Sequence, residues 1–136
     1  MELNPYLTFN GNCKEAMNFY KDILGGEFEG GIKTYAEGGD YFPSKPEHAD
    51  KIMHIHLKTS DFSILASDNV GGETPFIGGN NFSMSLNIDK DNAERVFGSL
   101  GENGKIIMQF ADVFWGGKFG MLLDQFGVQW MVSTPH

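Results

Sequence analysis

The stretch FSMSLNIDKDNAERVFGSL, Phe82 to Leu100, decides the fold, because its pattern occurs twice in the chain. Phe82, Met84, Leu86 and Ile88 alternate with Ser83, Ser85 and Asn87. Successive side chains of a strand point to opposite faces, so this reads as a half-buried strand. Asp89 then offers a helix cap. Ala93, Val96, Phe97 and Leu100 follow at helical spacing. Near the N-terminus YLTFNG alternates in the same way, with Leu7 and Phe9 against Tyr6 and Thr8. Asn12, with Glu15 three residues on, has the form of a capping box. Ala16, Phe19, Tyr20 and Ile23 repeat the helical spacing, and Gly25–Gly26 ends the helix.

Three strands are expected after each helix. In the first half they fall near 28–35, at 52–58 and at 62–67, the last two joined by the tight turn Thr59–Ser60–Asp61. In the second half they fall near 105–110, 118–123 and 128–133. Neither unit alone buries a sheet face well, so two such units are expected to pack together. The expected fold is α+β: paired βαβββ modules forming a curved mixed sheet, with helices on one face and a concave pocket on the other. The whole chain, 1–136, reads as a single domain, its modules at about 1–67 and 82–136 joined by a Gly-rich linker, 68–81. The stretches 36–51 and 68–81 read as long loops, suited to dimer contacts or a lid.

The bulk composition narrows the function. With 136 residues, 40% of them hydrophobic and 21% charged, the chain has the make-up of a globular domain. Its formal net charge of −8 repels phosphate backbones, so nucleic acid is not an expected partner. Cys13 is the sole cysteine, which rules out an intrachain disulfide and suits a reducing cytoplasm. MELNPYLTF lacks the basic and apolar segments of a signal peptide, and no apolar run is long enough to span a bilayer, so a membrane partner is not expected. The 18 glycines cluster between the periodic segments and form no phosphate-cradling loop at a strand-to-helix junction.

Chemistry concentrates in KIMHIHLKTSD, Lys51 to Asp61, where His54 and His56 lie two residues apart on one strand face. By alternation that face also carries Tyr6 and Thr8 in the first module, and Ser83, Ser85, Gln129 and Met131 in the second. Phe114 and Trp115, in DVFWGGKFG, suit either a hairpin packed in a core or dimer interface, or a stacking wall over a pocket. Trp130 falls among the core positions with Val128 and Val132. Asp124, in DQFG, is expected to bond turn amides. Cys13 stands at a helix N-terminus, which can lower a thiol pKa, but a lone cysteine is more often inert.

The stretches PYLTFNGNCKEAMNFYKDILGG, DKIMHIHL, GGNNFSMSLNID and DVFWGGKFGMLLDQFGVQWMV span nearly the full length. They resemble the vicinal oxygen chelate superfamily, which includes glyoxalase I, extradiol dioxygenases, fosfomycin-resistance enzymes and bleomycin-binding proteins. Within it they look most like the PhnB-like branch, labelled 3-demethylubiquinone methyltransferase-like. The resemblance implies a homodimer. It also implies four ligand positions in metal-using relatives, which fall here at Asn4 (or Pro5), His56, Ser83 and Met131. A shift of two residues gives Tyr6, His54, Ser85 and Gln129. Either set lacks the carboxylates, thiolates or clustered imidazoles that divalent metals want, although His48, Glu47 or Asp50 could complete a site from the loop.

Three functions stay open. The first is a metal-independent small-molecule-binding protein with no cofactor, its ligand lined by Tyr6, His54, His56, Ser83, Ser85, Phe114, Trp115 and Met131. The second is a metal-dependent lyase, isomerase or dioxygenase keeping His56 as a ligand. The third is a structural or regulatory dimer without ligand. Methyl transfer is not expected, since no strand–Gly-rich turn–helix unit with a following acidic residue is present.

Overall fold

The computed structural model describes residues 1–39, 44–71 and 75–135. The described chain divides into two compact units, Met1–Ile77 and Gly78–His136. Its architecture is α+β, with one mixed sheet of five strands and one of four.

In the first unit, β1 (Tyr6–Phe9) leads to α1 (Cys13–Leu24). The short strands β2 (Glu27–Phe28) and β3 (Lys33–Thr34) precede α2 (Tyr35–Gly38) and a 3-10 turn at Pro46–His48. β4 (Ile52–Lys58) and β5 (Ser63–Asp68) complete it. The sheet order is β1-β5-β4-β2, with β3 also on β4. β1 runs parallel to β5, and β4 antiparallel to it. α1 packs on β4 and β5. Its Cys13, Ala16, Met17 and Tyr20 are buried, as are Leu7, Phe9, Ile55, Leu57, Ile64 and Ala66 of the strands. Of the stripe expected from the sequence, Ala16 and Tyr20 are buried and Phe19 and Ile23 half-buried, while Cys13 and Met17 join the core beside them.

The second unit repeats the plan: β6 (Met84–Asn87), α3 (Lys90–Leu100), β7 (Lys105–Asp112), β8 (Lys118–Leu123) and β9 (Gln129–Ser133). Its order is β6-β9-β8-β7, again with the first strand parallel to the last. Ala93, Val96, Phe97 and Leu100, the residues singled out by helical spacing, are all buried. The Asp89 side chain accepts from the Asn92 amide at 3.1 Å, the cap expected of it.

Several local expectations change. The strand expected near 28–35 is broken into β2 and β3, because Gly30 and Gly31 both take left-handed φ values, 76° and 75°. The loop expected at 36–51 contains α2 and the 3-10 turn, while residues 40–43 of it lie outside the described residues, as do residues 72–74 of the linker. Asn12 occupies the N-cap of α1 but makes no side-chain cap bond. Asp68, from the far end of β5, takes that role. Its Oδ1 accepts from the amides of Gly11 at 3.0 Å and Cys13 at 2.9 Å, and its Oδ2 from the Ile52 amide at 2.9 Å. A carboxylate distant in sequence thus caps the helix and pins the start of β4 together.

Asp124 is the counterpart in the second unit. Its Oδ1 accepts from the amides of Phe126 and Val128, as an Asx turn should, and its Oδ2 from Trp130 Nε1 at 2.9 Å. That bond satisfies the indole of Trp130, which is a core residue as its position implied. Among the described residues no helix is long and apolar enough to cross a membrane.

Candidate functional site

The first unit presents a polar sheet face opposite α1. From His54 onward β4 alternates: Ile55 and Leu57 point into the core, while His54 and His56 are half-buried and Lys58 is exposed. Register brings the neighbouring strands to the same face. Tyr6 lies beside Leu65, His56 opposite Leu65, and Lys58 opposite Ser63. Lys33 of β3 pairs with His54.

Tyr6 and His54, nearly fifty residues apart, do meet. The Tyr6 hydroxyl is 3.4 Å from His54 Nδ1, and their ring centroids are 6.0 Å apart in a tilted arrangement. That bond is long, so the pair is a loose aromatic contact open to a hydrogen-bonding guest. His56 is held more tightly. Its Nε2 is 2.8 Å from Ser63 Oγ, and its Nδ1 is 3.6 Å from Glu29 Oε2. The Glu29 amide donates to the His56 carbonyl at 2.9 Å, which fixes the chain after β2 against β4. Lys58 Nζ, also 3.6 Å from Glu29 Oε2, places a cation beside that carboxylate.

Ser63 and Glu29 were missed in the sequence. A signal existed for Ser63: the tight turn sets Lys58 opposite Ser63, so His56 and Ser63 are diagonal neighbours on one face. Thr59 makes that turn, its Oγ1 accepting from the amides of Asp61 and Phe62. No local signal marks Glu29, which reaches His56 only through the pairing of β2 with β4.

The second unit carries the remaining expected residues. Ser85 and Met131 are register partners on β6 and β9, on the face opposite Trp130 and Val132. Ser83 is exposed just before β6. Gln129 donates through Nε2 to the Phe82 carbonyl at 2.7 Å, and so is occupied in holding the entry to β6. Phe114 and Trp115 sit in the β7–β8 hairpin, edge to face, with centroids 4.8 Å apart. Phe114 is 97% exposed, so the pair does not fill the core of its own unit.

The four positions matched to metal ligands supply an amide, an imidazole, a hydroxyl and a thioether. The Asn4 amide donates to Glu2 Oε1, and the imidazole of His56 is engaged on Nε2. Among the described residues no group of three or more His, Cys, Asp and Glu side chains could hold a metal ion. Cys13 is no nucleophile. It is fully buried, and burial first, then the charge of Asp68, pushes its thiol far above the ordinary range rather than below it. Burial, aided by nearby Tyr6, Asp68 and Cys13, likewise raises the pKa of Tyr35, whose hydroxyl donates to the Asp68 carbonyl at 2.8 Å.

Beside this face lies a cleft of about 420 Å³, lined by residues 2–5 and 58–63, Lys58 and Ser63 among them. Tyr6, His54 and His56 do not line this cleft, whose wall offers the Phe62 ring, the hydroxyls of Thr59, Ser60 and Ser63, and charged groups.

Comparison with known proteins places the fold. Residues 1–133 match the family model described as 3-demethylubiquinone-9 3-methyltransferase. The crystal structure of protein PA1353 from Pseudomonas aeruginosa is similar at a TM-score of 0.86 and 41% identity, over 98% of this chain and 97% of that one. The PhnB protein from Bacillus cereus is similar at 0.78 and 25%, over 99% of this chain and 100% of the other. A glyoxalase/bleomycin resistance protein/dioxygenase family enzyme from Burkholderia phytofirmans, at 0.64 and 12% over 96% and 95%, shares the fold alone. The chain therefore belongs to the PhnB-like 3-demethylubiquinone-9 3-methyltransferase family and has a glyoxalase-like fold.

Proposed function

We propose that the chain is a small-molecule-binding protein of the glyoxalase/bleomycin-resistance-like class that works without a divalent metal. The observation that carries this reading is the state of His56. Its Nε2 is committed to Ser63, and the other matched positions offer no anionic donor to repay the dehydration of a dication. Tyr6, His54 and His56 form the binding face of the first unit. Ser83, Ser85, Met131, Phe114 and Trp115 of the second are the residues we expect a ligand to perturb there. A partly apolar molecule with a few hydrogen-bonding groups suits this mixture of rings, hydroxyls and imidazoles. Family membership by itself does not argue for methyl transfer, because among the described residues the strand-to-helix junctions carry no glycine-rich nucleotide-binding turn.

Elemental analysis of untagged protein, purified without chelator, is the test. Zinc, nickel, iron and manganese are each expected far below one per chain. One equivalent of any of them, lost on His56→Ala, would sink the proposal in favour of a metal-dependent lyase, isomerase or dioxygenase. A thermal-shift screen should in parallel find ligands whose stabilisation falls on His54→Ala.

A further inference from the structure

The neighbours of His56 supply more than a binding face needs. One ring nitrogen meets a hydroxyl, Ser63 Oγ at 2.8 Å, and the other faces a carboxylate, Glu29 Oε2 at 3.6 Å. Hydroxyl, imidazole and carboxylate in that order are a nucleophile, a general base and a group that orients the base. The contact to Ser63 is already at hydrogen-bonding distance. The contact to Glu29 is longer, as orienting contacts often are before substrate closes a site. Ser63 is only 6% exposed, yet it stands in the wall of the cleft of about 420 Å³. Lys58, directly opposite Ser63 on the ladder, lines the same cleft, with its Nζ 3.6 Å from Glu29 Oε2. Glu2 and Asp61 stand in that wall too, so its mixed charge favours a neutral substrate over an anionic one.

We propose that Ser63, His56 and Glu29 form an acyl-transfer relay that hydrolyses small neutral carboxylic esters. Ser63 Oγ bonds to the ester carbonyl carbon as its proton passes to His56 Nε2. The tetrahedral adduct collapses, the bond to the alcohol oxygen breaks, and the alcohol leaves with the proton from Nε2. Water then attacks the acyl-serine, giving its proton to Nε2. Release of the acid returns that proton to Ser63. Ester and water become acid and alcohol, with no other reactant. Glu29 acts through His56 and is a positioning residue. This goes beyond the binding reading, which needs contact with these side chains but no bond to Ser63.

The full chain is treated with a fluorophosphonate probe and with p-nitrophenyl acetate. Expected are one phosphonyl adduct, mapped to Ser63 by peptide mass spectrometry, and ester turnover that Ser63→Ala abolishes. His56→Gln, which keeps a polar partner for Ser63, should slow labelling about 100-fold or more. Glu29→Gln should lower kcat while leaving KM within about twofold, a split that general loosening of the fold would not produce. Absence of label from Ser63, or undiminished labelling in His56→Gln, overturns the relay. If Ser63→Ala fails to fold, His56→Gln alone decides. Binding is read separately by thermal shift, so loss of the relay with retained ligand stabilisation leaves the binding reading standing.

Discussion

Two buried carboxylates show how single residues organise this chain. Asp68 and Asp124 each gather three N–H donors, Asp68 from two distant segments and Asp124 from its own turn and the strand that follows. Asp124 was legible, because its donors lie within six residues in a recognisable turn. Asp68 was not, because its donors come from 16 to 57 residues away. It also adds to the effect of burial on Cys13. The helix terminus that could have activated the thiol is occupied by an anion, and the thiol is buried. The consequence is a pH dependence. The thiol ionises near 9.0 in the unfolded chain and well above that in the fold. Below 9.0 both states hold the proton and the effect is nil; above it only the unfolded state loses the proton, and stability falls. The expected slope above about pH 9 is a loss approaching ~1.4 kcal/mol per pH unit, read by urea unfolding. Cys13→Ala should flatten the curve there; equal slopes in the two proteins would refute the assignment.

At the scale of elements, periodicity predicted what packing then used. The four residues at helical spacing on α3 are the ones it buries, β4 falls where alternation puts it, and β8 has the expected bounds. The strand near 28–35 failed because two adjacent left-handed glycines turn the chain away from an extended path. What alternation could not show is how closely α3 approaches its sheet. Gly120 of β8 lies beneath it: a Cβ there would come within 2.7 Å of Phe97 Cε2 and 2.9 Å of Phe110 Cα. Phe97 and Phe110 themselves stack with centroids 5.2 Å apart. The ring could turn, but the Phe110 backbone cannot yield without disturbing the β7–β8 ladder. Gly120→Ala is therefore expected to cost about 1–3 kcal/mol in chemical denaturation. A neutral result would mean that β7 moves freely on β8.

At the scale of the whole molecule, β7 stands out as one edge of its sheet, with Ile106, Ile107 and Met108 exposed. Apolar edge strands are sites of association unless covered. We propose that a second copy covers this one. Light scattering should then give about twice the 15.1 kDa chain mass, and Ile107→Lys should return the monomer; a monomeric parent chain at micromolar concentration would refute it. The sequence by itself determined the α+β class, the doubled plan of strand, helix and strands, the core faces and the histidine pair. All of these follow from local periodicity, since the spacing of side chains along a strand or helix is set by backbone geometry. Only the tertiary structure decided that Asp68 caps α1, and that Ser63 and Glu29 flank His56. Those contacts depend on strand register and on pairings between distant segments, and many registers satisfy the same alternation until the core closes around one of them.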